Sequence, residues 1–544
     1  RTLAAQPAGR QYAGHRPFGT AMLAPAPKRG TRGRTVQSVR RIKILLVHGI
    51  GKRTHYEFLG GFLLNFKRAL LHAGRAHEIE IRYGDQIPLQ SASPSLRRDG
   101  VLVRWVHRHE DGRSETIEAR LEEVNWSDLD ERSSLIGWVR FVCWGLGMPG
   151  VRRYRERRRG STAEHGLKLP PTVPRRRHLA LRFQLFWLAT LFLLGLLSIN
   201  LILWTLRRFN IRFTLLEEAH AAVYDYLGDI KLYQDHYLRW DQSVEILGEH
   251  ARDAIRRRVI RALVRTASEI ERAVERGEQW DGYYVFSHSL GCIAAFNAFM
   301  EPETALPNYL HREEWNALPD EAKDMEAVAP ADQTPPRPTW LVGKGALRRD
   351  WLFKRCKGFV TVGCPLNKYV TLWPYIVPVN PRPLARAVPW INISEVQDLV
   401  AGPIDLLAGP PPVNVGGLAL EHHEISTQGV FGFFTAHASY WHTDQKRRPR
   451  VIDSLLHWIE GSSFVAPKNT LPPSLARLFT FVSVIVCTLF ALAIPTVPAV
   501  WILELLDIYV DGFRFAGTML LGAIAVVAGV SLLRRLTLRD PERP

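Results

Sequence analysis

The pentapeptide Ser287-His288-Ser289-Leu290-Gly291 is the part of this chain best suited to nucleophilic chemistry. A serine at the tip of a sharp strand-to-helix turn is held in a strained backbone conformation with its hydroxyl exposed above the sheet. Small residues are needed two before and two after it, because strand and helix backbones nearly touch there. The pattern G-x-S-x-G is met with Ser287 in the first glycine position. Such a serine attacks an acyl carbonyl, and it then needs a general base, an acid to orient that base and donors for the oxyanion. His48-Gly49-Ile50-Gly51 is a glycine turn whose backbone N–H groups could supply those donors. Loss of one such donor typically costs about 3 kcal/mol of transition-state stabilisation.

Both motifs need strands behind them. The apolar run 42–47 leads into the His48 turn, and Tyr283-Tyr284-Val285-Phe286 leads into Ser287. Each reads as a buried strand. The small-residue stretch 292–296 after Gly291 reads as the start of a helix, in which Cys292 serves packing. Residues 56–74 and about 240–276 have helical patterns, and 78–83 alternates like a strand. Two further apolar runs, 358–363 and 388–393, supply more strands. Strands separated by helical stretches predict an α/β fold with a largely parallel sheet.

Taken together, HGIG after a strand, FSHSLG, FVTVGCPLNK, WINISEVQDLV and a late His followed by SYW resemble the α/β-hydrolase superfamily of lipases and esterases. The resemblance covers about 42–90 and 220–460. It implies an α/β-hydrolase fold, a mostly parallel central sheet with flanking helices. It also implies a triad in the chain order nucleophile, acid, base. Ser289 then matches the nucleophile, Asp398 the acid beyond a late strand, and His437 the base on the last loop before a closing helix at 450–459. Gly49, Ile50 and Leu290 match the oxyanion hole. Asp405 and Glu395 are rival acids; His442, His422 and His423 are rival bases. His288 is expected at the site edge or in packing, and Gly363 and Pro365 are expected to shape the site.

Composition sets the surroundings. The 544 residues are 46% hydrophobic and 23% charged, which excludes a mostly disordered or fibrous chain. Five scattered cysteines without a CxxC argue against a disulfide framework or a Cys-rich zinc site. With no HExxH, EF-hand loop or Walker loop, no metal or cofactor is expected. Net charge is +18, and the stretch 152–177 alone holds ten Lys/Arg against two Glu. With no nucleic-acid module beside it, this charge points to an anionic lipid surface rather than to nucleic acid. Three uncharged apolar runs, Phe183–Leu206, Leu478–Leu503 and Phe515–Leu533, are each long enough to cross a bilayer.

The resulting organisation is a basic, acid-free arm at 1–41, expected to be disordered, and a first hydrolase part at 42–125. A basic and apolar insertion follows at 126–212, then the rest of the hydrolase domain at 213–465. Within the latter, 301–352 is expected to form a lid over the site. A transmembrane hairpin at 478–535 closes the chain. Strands 42–47 and 283–286 must share one sheet, so 183–206 is expected to be a monotopic or re-entrant element, not a single crossing. Basic flanks at Arg477, Arg534 and Arg535 put the hydrolase domain on the cytoplasmic face. The expected activity is a membrane-attached serine hydrolase acting on ester or lipid substrates. A thioesterase or acyltransferase with the same triad, or an inactive scaffold, are the alternatives.

Overall fold

The computed structural model describes residues 38–49, 57–82, 100–126, 166–184, 251–330, 335–407, 413–427, 436–441 and 450–482, apart from isolated positions. The chain is built around one nine-stranded sheet in the order β10-β11-β9-β8-β5-β1-β4-β3-β2. The strands are β1 (Ser38–Val47), β2 (His77–Arg82), β3 (Gly100–Arg108), β4 (Ser114–Val124), β5 (Trp280–His288), β8 (Cys356–Val362), β9 (Val388–Glu395), β10 (Val413–Val415) and β11 (Leu418–Ile425). Six of them, β11, β9, β8, β5, β1 and β4, run parallel, while β2, β3 and β10 add antiparallel edges. The fold is mixed α/β with a large, mostly parallel central sheet.

A parallel sheet covered on both faces needs strands that are apolar on both sides, and β1 has that composition. Leu45 and Val47 enter the core beneath α2 (Ala251–Glu275) and α3 (Leu290–Met300). Ile42, Ile44 and Leu46 enter the opposite core beneath α1 (Glu57–His72) and α5 (Val451–Ile459). The expectation that 42–47 and 283–286 share a sheet holds: β1 pairs directly with β5, Val47 opposite Ser287. The sequence segments 42–125 and 213–465 therefore contribute to a single sheet.

Two expectations change. Strand β1 includes Ser38 to Arg41 ahead of Ile42, so 38–41 are not part of a disordered arm. Arg40 lies 3.4 Å from Glu115 and 3.6 Å from Asp281, and Arg41 is 3.0 Å from Glu118. Acidic residues of the two neighbouring strands thus accept the basic start of β1. The second change concerns 301–352. Helix α3 starts just after Ser289 and ends at Met300, which carries the chain to the opposite end of the sheet before this segment begins. There the segment forms the hairpin β6 (Lys323–Val328) and β7 (Lys344–Leu347), tied down by Arg256 to Glu301, Arg261 to Glu314 and Arg349 to the Phe299 carbonyl. Its described residues cap the edge where β5 and β8 begin, away from Ser289.

Among the described residues, no helix is long and apolar enough to cross a membrane. The apolar runs 183–206, 478–503 and 515–533 lie almost wholly outside those residues, as does most of the arm.

Candidate active site

Ser289 follows the last residue of β5 and precedes α3, with φ 54° and ψ −128°. It is the one non-glycine residue with positive φ among the described residues, a conformation costing roughly 1–3 kcal/mol. Crowding enforces the turn. A Cβ on Gly291 would stand 2.2 Å from the His48 carbonyl oxygen, and one on Gly49 would stand 2.6 Å from Ser289 Cβ. The His48-Gly49 turn at the end of β1 is thereby pressed against Ser289.

The acid and base arrive from the same edge of the sheet. Asp398 sits just beyond β9, and His437 lies in a short 3-10 turn, Ala436–Ala438, ahead of α5. His437 Nε2 is 2.8 Å from Ser289 Oγ, and His437 Nδ1 is 2.9 Å from Asp398 Oδ2. With Nδ1–H donating to the carboxylate, Nε2 is left to accept from the serine hydroxyl. Asp398 is fixed by more than His437: the Tyr440 hydroxyl donates to Oδ2 at 2.8 Å, and the Val400 and Ala401 N–H groups donate to Oδ1 at 2.7 and 3.1 Å. Burial alone would raise the Asp398 carboxyl. The facing imidazole, its hydrogen bond and those from Tyr440 and Val400 outweigh burial and hold it far below the usual carboxylate range.

In comparisons with known proteins, no family model, curated protein or solved structure matches the chain. The site is therefore read from its own geometry.

Of the sequence candidates, Ser289, His437 and Asp398 come together, with Gly49 and Leu290 beside the serine. Leu290 opens α3, where the first N–H groups have no intrahelical acceptor and the helix dipole favours an anion. Ile50 lies outside the described residues, as does the rival base His442. The other rivals stand elsewhere. His422 and His423 lie within β11; His422 Nδ1 meets Asn392 Nδ2 at 2.7 Å, and His423 pairs with Glu421 at 2.8 Å. Asp405 pairs with Arg177 at 2.8 Å and with Asn367. Cys292 is buried and its thiol points to the Val362 carbonyl, consistent with packing. Gly363 runs beneath the His437 ring.

Three further residues contribute, of which the sequence marks only His288, at the site edge. Tyr440 bridges the Glu395 N–H, which it accepts at 2.8 Å, and the Asp398 carboxylate. His288 Nε2 meets the His437 carbonyl oxygen at 2.7 Å, which makes it a positioning residue for the base. Lys368, in α4 (Leu366–Leu372), reaches the Leu399 carbonyl; burial brings its ammonium down to about 8 although Asp398 opposes that. Among the described residues, no group of three His, Cys, Asp or Glu could hold a metal ion. A cavity of about 860 Å³ between α5 and residues 462–470, lined in part by His72, Asp453 and Lys468, contains none of the triad.

Glu395 is a second buried carboxyl at the end of β9. Its Oε2 accepts from Thr427 N–H at 2.8 Å and Thr427 Oγ1 at 2.9 Å, while its Oε1 is buried with no partner among the described residues. Burial lifts it from 4.5 to about 7, with the Thr427 hydrogen bonds opposing and Asp398 adding to the rise. Below pH 4.5 both folded and unfolded chains keep this proton; between 4.5 and about 7 the unfolded chain gives it up first, so stability falls as pH rises. Glu395→Gln should therefore stabilise the protein by about 2–3 kcal/mol at pH 8 and hardly at all at pH 4. Thermal melting of the chain at the two pH values measures this, and an equal shift at both would refute the titration argument.

Proposed function

We propose that this chain is a membrane-attached serine hydrolase of α/β-hydrolase fold that cleaves carboxylic esters, acyl lipids foremost. The observation that carries the reading is the hydrogen-bonded series Ser289, His437, Asp398 with the serine on a strained elbow. The strand arrangement supports the fold: the nucleophile follows central β5, the acid follows β9, and the base comes after β11, the last parallel strand. Attachment to the membrane is supported by the apolar runs and their basic flanks.

In this mechanism His437 Nε2 takes the Ser289 proton as Oγ attacks the acyl carbon. The carbonyl electron pair moves to oxygen, where the Leu290 N–H at the start of α3 receives it. Collapse of the tetrahedral intermediate breaks the ester C–O bond, and His437 returns the proton to the departing alkoxide. Water, deprotonated by His437, then attacks the acyl-enzyme, freeing the acid and restoring the serine. Asp398 stays ionised throughout and stabilises the imidazolium.

The direct test is a fluorophosphonate probe, which phosphonylates a serine only when its base is in place. One adduct on the peptide containing Ser289 is the expected result. A folded, solubilised sample that takes up no probe would instead mark the chain as an inactive scaffold.

A further inference from the structure

Two helical stretches break the usual rule for surface helices, which turn their apolar stripe inward. In residues 473–482 the buried positions are small, Ala476 and Thr480, whereas the large apolar side chains point out: Leu478 is 54% exposed, Phe481 64% and Val482 46%. In residues 175–184 the buried side chain is His178, while Leu179 is 46% and Phe183 67% exposed. The two surfaces belong to one edge of the molecule. Arg477 pairs with Glu424 at 2.7 Å, at the end of β11 opposite the last turn of β9. Arg177 pairs with Asp405, which bonds Asn367 in the first turn of α4, just past the end of β8. Ser289 and Asp398 stand at the ends of β5 and β9. The outward apolar faces and the triad therefore share the carboxyl edge of the sheet.

We infer that this edge is the membrane-facing surface of the protein, seated on an anionic bilayer, so that an acyl chain reaches Ser289 from the lipid and not from water. The occupant is identified by three features. Each apolar face continues in sequence into an uncharged run, 183–206 or 478–503, and Arg175, Arg176 and Arg182 stand beside the first. Basic residues next to exposed Leu and Phe suit an interface of anionic head groups and acyl chains. The opposite edge is closed by 301–352, which holds charged, exposed side chains such as Arg312 and Glu313. The entry route rests on the hydrolase reading; the orientation does not.

The test uses the full chain in phosphatidylglycerol-containing nanodiscs, with Cys143 and Cys487 replaced by Ser and one bimane-labelled cysteine at position 179, 478 or 316. Brominated acyl chains should quench the labels at 179 and 478 about twofold and leave the one at 316 unaffected, since an interfacial helix buries its apolar face about 5–10 Å into the head-group boundary. Quenching at 316, or free access of aqueous iodide to 179 and 478, overturns the orientation. So does shielding of both positions without lipid quenching, which would make the occupant a second copy of the chain. In a second arm, Leu179→Glu with Leu478→Glu should slow turnover of a bilayer-resident ester about tenfold while sparing a short soluble ester, because both sites are exposed and outside the triad. Equal loss on both esters refutes lipid-side entry. Absence of turnover on either ester by the unmodified protein sinks the hydrolase reading and leaves the quenching result to stand alone.

Discussion

Ser289→Ala should lower ester turnover by about 10⁶-fold, the scale seen when a triad serine is removed, while the folded structure persists. The size of the effect follows from what remains. His437 and Asp398 keep their 2.9 Å contact and the oxyanion donors stay in place, yet no group forms the acyl-enzyme. The turn itself does not depend on the hydroxyl. It is held by β5 on one side, α3 on the other and the His48 carbonyl against Gly291. Alanine has the same difficulty with φ 54° as serine, so the melting temperature should move little. Ser289→Gly gives the complementary result: equally inactive, but more stable by roughly 1 kcal/mol as the strained conformation becomes permitted. Turnover on a chromogenic ester, read beside thermal melting for both variants, separates chemistry from folding. Residual turnover within tenfold of the parent would remove Ser289 from the mechanism.

The strands that position this serine were legible in the sequence because they are buried on both faces. Ile42–Val47, Tyr283–Phe286, Phe359–Val362 and Trp390–Ile393 are nearly continuous apolar runs, and each lies in the middle of the sheet. Two strands that the apolar pattern does not mark, β4 and β11, carry charge. In β4, Glu118 looks like a surface residue until its partners appear: Arg41 at 3.0 Å and Arg104 at 2.8 Å, on the strands to either side. Glu122, in the same strand, meets the buried ammonium of Lys43 at 2.6 Å, and Glu269 of α2 reaches it at 3.0 Å. A one-dimensional pattern cannot distinguish charge facing water from charge neutralised across a sheet. The same limit kept β11 hidden behind its Glu421-His422-His423-Glu424 stretch and made His422 and His423 look available as bases. Tyr440 was illegible for another reason: its role depends on one hydroxyl meeting a backbone N–H 45 residues away and a carboxylate 42 residues away.

The acid is where the sequence left rivals and the geometry separates them. Asp398→Asn should cut turnover about 10⁴-fold with little change in fold, because an amide in that place favours the wrong imidazole tautomer. Asp398 Oδ2 accepts from His437 Nδ1–H and Tyr440 O–H, and Oδ1 from the Val400 and Ala401 N–H groups; an asparagine whose oxygen keeps the two backbone donors turns its NH₂ toward His437 Nδ1. His437 would then carry its proton on Nε2, the atom that must accept from Ser289. Asp405→Asn should leave turnover within about twofold, since an exposed ion pair like the one with Arg177 contributes little. Glu395 offers no rescue, as both of its hydrogen bonds come from Thr427 and none from His437. Rates on a soluble ester for the two asparagine variants, with tautomer-sensitive nitrogen NMR of His437, decide the matter. A silent Asp398→Asn beside a dead Asp405→Asn would move the acid to Asp405 and undo the triad as drawn.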